Sequence, residues 1–423
     1  MTKSTTSTKF AFIMIASLFF LWGFVHNLDP ILIPHLKKAF SLTTVQASLV
    51  DSAVFIAYFV MALPAGFLMK KYGYKAGIIT GLLLFATGSY LFVPSANTQS
   101  YAFFLVALFV IACGLTILET AANPYASLLG SPEKSTQRLN LAQSFNGLAV
   151  TLAPIVGGIV IFTKGFSKDA LAAMEPAARK FALAAEASSV KTPYIVLGSV
   201  ILLVALIFYF MNLPEIEDDS QEASSSSVFH ALRHRHLSWA VAAQFFYVGA
   251  QVCVFSFFIL YAPKAAGIDE TQATWYAGFG VGMAFMCGRF IGTFFMNYVQ
   301  PVKLLAIYSL ICAALSVFAM FATGLAAVYA VVGISFFMSI MFPTIFSLGI
   351  KNLGADTKFG SSLIIMSIVG GAILPPLFAF IADAYQNIQF GYIVPFVCFL
   401  VILAFGVYGH KVVERERNTA VLV

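Results

Sequence analysis

The chain has 423 residues, 60% of them hydrophobic and only 10% charged. A water-exposed globular domain carries about 25% charged residues, so the composition excludes a soluble protein. The formal net charge of +6 comes with no basic stripe interleaved with aromatics, which excludes a nucleic-acid partner.

A polar start of nine residues leads into an apolar run of more than twenty. That is too long for the core of a signal peptide, and no small-residue cleavage site closes it, so a retained first helix is expected. The apolar blocks that follow predict an all-α membrane protein with twelve spans. These are 10–34, 45–69, 76–94, 101–129, 139–163, 193–213, 238–262, 273–299, 303–323, 326–350, 360–384 and 391–412. Each covers the roughly 20 residues that a bilayer crossing needs.

Two connections are long. Residues 164–192 are polar and alanine-rich, with a short surface helix expected. Residues 214–237 run from acidic through a serine tract to the basic stretch "HALRHRH". The second divides the chain into an N-terminal six-helix half (1–213), a cytoplasmic linker (214–237) and a C-terminal six-helix half (238–423). With the N-terminus inside, the inner connections and tails carry 15 Lys and Arg and the outer ones 8, five of these in the long 164–192 loop. Positive charge collects on the cytoplasmic side, so both termini are expected there. "HALRHRH" reads as part of that orientation signal.

A weak internal repeat supports the two halves. "GFLMKKYGYKAG" from Gly66 joins spans two and three, and "GTFFMNYVQPVK" from Gly292 joins spans eight and nine. Such repeats relate halves about an axis along the membrane normal. The first of these loops resembles the signature loop of the major facilitator superfamily. In that reading Gly66 lets helices two and three approach, Gly73 makes the turn, and Lys70, Lys71 and Lys75 hold the cytoplasmic ends together.

Further stretches narrow the resemblance. "LETAANPY", "RLNLAQSFN", "AQFFYVGAQ", "GRFIGT", "FPTIFSLGIKNLG" and "DTKFGSSLIIMSIVGG" are similar, in order, to the fucose/proton symporter family of sugar transporters. The resemblance implies a major facilitator fold, a sugar cavity between the halves, and uptake driven by a proton gradient. One departure stands in the first helix. L-fucose members of the family read Asn-Asp before Ile-Leu, with the acid at the position of Pro30. Here the order is Asp29-Pro30, and one helical step turns a side chain by about 100°.

Four charged residues fall inside spans and away from their ends: Asp29, Asp51, Glu119 and Arg289. A charge at mid-bilayer costs about 2.5–3.5 kcal/mol on insertion scales, so such residues face a cavity or a partner and mark transport paths. Glu119 has Asn123 one turn on, then Pro124, which leaves a carbonyl without its helical donor. It reads as a carboxyl that meets sugar hydroxyls and exchanges a proton, against the alternative of a structural acid. Asp29, with His26 and Asn27 before it and Pro30 after it, marks a kinked helix opening on water. It carries the coupled proton or makes a local turn. Asp51 stands across helix two as the third acid of that relay, or as a solvated acid near the outer surface. Arg289, fixed in charge, reads as a structural or gating clamp near the cytoplasmic end of span eight.

Sugar recognition needs amides and hydroxyls in groups. Gln143 and Asn146 are three apart on one helical face. Gln244, Tyr247 and Gln251 share a face in the second half. Trp22 and Tyr58 supply flat apolar surface for stacking. With Glu119, Asn27 and Asn123, these are the expected substrate contacts.

The five cysteines lie in apolar runs with no C-x-x-C pair, and none of the six histidines stands at ligand spacing to a cysteine. No metal site, cofactor or disulfide framework is expected. The expected activity is import of a monosaccharide with a proton by alternating access, in a monomer of the bacterial inner membrane whose partners are sugar, proton and the lipid bilayer. A proton-coupled exporter of drugs or sugars is the rival within transporters. A non-transporting sugar receptor would need an output domain, and the tail after the last span is short. An enzyme would need a nucleophile–base pair or a metal cluster.

Overall fold

A computed structural model of the chain describes residues 8–26, 40, 49–161, 174–175, 178–179, 181–182, 188, 190–214 and 227–412. Every regular element among these residues is helical. Ten of the helices are long and apolar enough to cross a membrane. One of the ten, Ser52–Thr98, has 47 residues, about 70 Å of helix at 1.5 Å per residue against a hydrocarbon core of about 30 Å. It is two spans. The backbone of Gly73 (φ 80°, ψ 174°) breaks the helical run Leu49–Thr98, leaving α2 (49–72) and α3 (74–98). The positive φ is the reason for glycine at that position. With α1 (Thr8–His26), α4 (Tyr101–Leu128), α5 (Ser135–Ile161) and α6 (Lys191–Phe210), the first part of the chain has six spans.

The second part has six more. These are α7 (Arg235–Ala266), α8 (Thr271–Phe295), α9 (Pro301–Phe321), α10 (Leu325–Gly349), α11 (Gly354–Ala384) and α12 (Ile388–Gly409). Four of them are irregular in ways that periodicity does not foretell; α12 opens with a 3₁₀ segment, Ile388–Tyr392, and ends in a π-helical one, Phe405–Gly409. A π-helical segment, Tyr276–Gly282, sits in α8 where the sequence reads YAGFGVG. Its three glycines hold the tighter α-turn only weakly. α10 is interrupted at Ser339 and Ile340, between Leu325–Met338 and Met341–Gly349. α11 opens with a 3₁₀ turn, Gly354–Asp356, and has a second at Ser367–Val369.

Twelve spans match the number expected, with boundaries within a few residues where described. α7 begins three residues earlier than expected, because a short helix, Val228–Ala231, and a turn feed directly into it. Only fragments of 164–192 are described. The region from Asn27 through Lys38, with Asp29 in it, lies outside the described residues, as does the side chain of Asp51.

α4 lies deepest. Its residues from Ile111 to Ser127 are all buried, Glu119 included. α6 shows the opposite pattern, with Val196, Leu203, Leu206 and Phe210 exposed. An apolar outer surface of this kind would be untenable in water. The ends of the first six helices are tied by polar contacts. Lys75 Nζ donates to the carbonyl of Tyr209 at 2.9 Å, and Tyr125 Oη to that of Pro214 at 2.8 Å. These join α3 and α4 to the end of α6.

The expectation for Gly66 is corrected. Its bare backbone faces α11, not α3: an added Cβ would overlap Ser362 Oγ and lie 3.3 Å from a ring carbon of Phe359. Helical periodicity gives the face on which a small residue lies, not the helix it meets.

Candidate functional site

A continuous hydrogen-bonded chain links four helices from both sets of six. On α2, Tyr58 donates to Glu119 Oε1 on α4 at 2.6 Å. One turn on, Asn123 Nδ2 returns to the Glu119 carbonyl at 2.9 Å. Its Oδ1 accepts from Gln143 Nε2 of α5 at 3.0 Å. Gln143 meets Arg289 of α8 twice, through its carbonyl at 2.6 Å and its side-chain oxygen at 3.4 Å. Asn146 completes the group, with Oδ1 3.5 Å from Arg289 Nη1 and Nδ2 donating to the Phe19 carbonyl of α1 at 3.3 Å. The spacing of Glu119 and Asn123, and of Gln143 and Asn146, brings each pair onto one helical face.

The two buried charges are satisfied differently. Arg289 is 3% exposed, and no carboxylate among the described residues lies within ion-pair distance. Its charge is met by carbonyl oxygens and by the Phe285 ring, 4.5 Å from the guanidinium carbon. One of those carbonyls belongs to Ser339, which accepts from Nε at 2.9 Å at the interruption of α10. The break thus supplies an acceptor that a regular helix would have used internally. Glu119 is 9% exposed and its carboxylate receives one neutral hydroxyl, with no cation within ion-pair distance among the described residues. A buried carboxylate with one neutral donor is thinly compensated, and protonation would remove the penalty for its charge.

The second set of helices contributes unpaired polar groups. On α7, both side-chain polar atoms of Gln244 are buried with no hydrogen-bond partner, and the buried hydroxyl of Tyr247 lies against the Arg289 guanidinium. Unpaired buried amides cost about 1–3 kcal/mol, so they mark a place where a ligand or water supplies the missing bonds. Gln251, a turn further on, is half-buried. Trp22 and Tyr58 are both buried, and Trp22 packs on Phe19 with ring centroids 4.1 Å apart. In this conformation neither ring offers an open stacking face, and Tyr58 acts through its hydroxyl on Glu119. Asn27, Asp29 and the Asp51 side chain lie outside the described residues.

The two sets of six helices are sealed at one end. Among the described residues, the hydrogen bonds between them other than those of Arg289 join the parts of the helices nearest the 70–75 loop. Asn140 Nδ2 donates to Thr344 Oγ1 at 3.2 Å, Ser347 Oγ to Thr136 Oγ1 at 2.8 Å, and Ser361 Oγ to the Thr120 carbonyl at 2.7 Å. Gln137 reaches Asn297 at 2.8 Å. Lys70 lies over the Phe359 ring at 5.7 Å, so this loop lysine spans the two sets, whereas Lys71 covers only Tyr72. Sequence reasoning missed Thr136, Asn140, Thr344 and Ser347. The signal was present: Thr136, Asn140, Gln143 and Gly147 form a polar or small stripe along α5 at helical spacing.

Comparison with known proteins places this arrangement. The sequence profile of the Major Facilitator Superfamily matches residues 10–363. The L-fucose-proton symporter of Escherichia coli K12 is 45% identical over 406 residues, 93% of this chain and 92% of that one. The chain belongs to the fucose:proton symporter family of the major facilitator superfamily. A second relative of this family member, a glucose/galactose transporter of Brucella abortus, is 40% identical over 97% of this chain and 96% of its own. The crystal structure of the fucose symporter in the outward conformation superposes with a TM-score of 0.89 at 43% identity, covering 96% of this chain and 100% of that one.

Proposed function

We propose that the protein imports a monosaccharide together with a proton by alternating access, using Glu119 as the carboxyl common to both substrates. The observation that carries this is the buried Glu119 carboxylate, hydrogen-bonded to Tyr58 at 2.6 Å and joined through Asn123 and Gln143 to Arg289 of the other set of helices. Relatives that are a fucose-proton symporter and glucose/galactose transporters support a neutral hexose-sized substrate. Gln143 and Asn146 from α5 with Gln244, Tyr247 and Gln251 from α7 would supply the hydroxyl partners. Asp29 and Asp51 would pass the proton between the outside and Glu119.

The closure at one end supports a cycle of this form. Closure at the 70–75 loop leaves the opposite face as the entry side. The Lys and Arg count assigns the closed face to the cytoplasm, with both termini there. Protonation of Glu119 removes the penalty for its buried charge, sugar fills the unpaired sites, and the helices 1–213 and 238–423 rock as two units about the site. A monomer in the bacterial inner membrane suffices.

Uptake by vesicles with an acid exterior tests this reading. Accumulation above the external sugar concentration should collapse with a protonophore. Accumulation that survives it, or efflux driven by the same gradient, would replace symport by another mechanism or by the exporter. Asp29→Asn should lose accumulation and keep sugar counterflow, which needs no net proton movement. If Asp51→Asn alone shows that pattern, the relay begins on α2.

A further inference from the structure

The transport cycle leaves unused a cluster at the sealed end, where the chain enters α7. His230 lies in the short helix Val228–Ala231 and His234 one turn later, just before α7. Both rings converge on one carboxylate oxygen of Asp356, at the start of α11. His230 Nδ1 is 2.5 Å and His234 Nε2 3.1 Å from Asp356 Oδ2. The other oxygen, Oδ1, is buried without a hydrogen-bond partner, in a residue 3% exposed.

Helix capping does not account for this carboxylate. Asp356 stands at the N-cap position of Thr357–Met366 and makes no side-chain cap there. His234, at the N-cap position of α7, makes none either. Both forgo the local bonds their positions offer and point at each other across 122 residues. The third neighbouring imidazole, His236, is committed elsewhere through the Lys351 carbonyl at 2.9 Å.

We propose that His230, His234 and Asp356 form a binding site for a single zinc ion, which fastens the entry of α7 to the start of α11. One ligand atom from each residue lies within 4.8 Å of the others. Zinc bonds of about 2.0–2.2 Å at tetrahedral angles require ligand atoms about 3.3–3.5 Å apart, a spread that small side-chain rotations reach. The two histidines, one in the last turn of Val228–Ala231 and the other at the N-cap of α7, bring their rings to the same carboxylate oxygen. The fourth position faces outward beside half-exposed His230, and water or an anion fills it. Two nitrogens and one oxygen suit a late first-row divalent ion rather than magnesium or calcium, which take oxygen ligands. Exposed Arg233 and Arg235 flank the histidines, so electrostatic attraction does not gather cations here and binding depends on the imidazole ligands. The ion would hold α11 near Ser361, whose hydroxyl seals the closed end through Thr120, and so bears on how readily that end opens.

Titration of zinc chloride into the full-length, tag-free, chelator-stripped protein in detergent tests the site calorimetrically. The wild type should bind one ion per chain, unaffected by millimolar magnesium. His230→Ala, at a half-exposed position that leaves the fold undisturbed, should weaken binding by about tenfold or more, and His236→Ala should leave it unchanged. Asp356→Asn should act as His230→Ala does. If that buried change prevents folding, His230→Ala decides alone. Absence of zinc binding by the wild type, unchanged affinity in His230→Ala, or equal competition by magnesium would each overturn the assignment.

Discussion

Glu119 and Arg289 are buried charges at opposite ends of one hydrogen-bonded chain, and their surroundings differ in kind. Arg289 is wrapped by the carbonyls of Ser339 and Gln143 and by the Phe285 ring. Glu119 meets a single tyrosine hydroxyl. A guanidinium cannot discharge, so the bundle must compensate it permanently, and the interruption of α10 provides the means. A carboxyl can take a proton, so its site can remain thinly solvated and still be tolerated. On the proposed cycle the difference would separate two tasks: a fixed clamp at Arg289 and a group at Glu119 whose charge changes.

The largest effect should come from removing the changeable charge. Glu119→Gln should abolish gradient-driven accumulation and impair counterflow, because it takes away both the proton site and a sugar acceptor. Vesicle uptake and exchange measured side by side check this. Retained accumulation would make Glu119 a structural acid and erase the contrast with Arg289.

Arg289→Ala should come next. It takes the donor from the Ser339 carbonyl and opens the contact between α5 and α8, at a cost of about 1–3 kcal/mol for a buried acceptor that loses its partner. Net uptake and exchange should both fall in vesicles. Solubilised protein should melt at a lower temperature and still bind sugar in a thermal-shift titration. Loss of binding with an intact fold would move Arg289 into the sugar site.

The amides should show smaller losses. Gln143→Ala, Asn146→Ala and Gln251→Ala should each weaken sugar binding by about 1–3 kcal/mol, the cost of an unpaired hydroxyl. Wild-type affinity in all three would mean that other faces line the cavity. Tyr247→Phe sharpens the comparison in the second set of helices. Removing a hydroxyl that faces the Arg289 guanidinium should cost the sugar-free protein about 0.5–1.5 kcal/mol at most, while sugar affinity drops by about 1–3 kcal/mol. A loss of stability without a change in affinity would give that hydroxyl a structural role.

The spans were readable because twenty apolar residues in a row admit few other folds. The candidate chain was partly readable for a related reason. Glu119 with Asn123, and Gln143 with Asn146, obey helical spacing, so their grouping within one helix is local information. What joins them is not. That Tyr58 caps Glu119, that Gly66 meets α11, and that Asp356 lies against His230 and His234 are relations between helices distant in sequence, and periodicity carries no record of partner identity. The interruption at Ser339 is legible in hindsight: Pro343, four residues on, has no N–H to donate to the Ser339 carbonyl. The partner of the carbonyl so freed, Arg289 at 2.9 Å, is the part that periodicity does not record.

Sugar-evoked proton movement tests the account most directly. Protein reconstituted in vesicles without an imposed gradient should draw protons inward when sugar is added outside, seen as a rise in external pH. Glu119→Gln should give no such signal, and Arg289→Ala should give a slower one with the same proton-to-sugar ratio. A wild-type proton signal in Glu119→Gln, at an unchanged ratio, would contradict the assignment of the coupled proton to the carboxyl that Tyr58 holds.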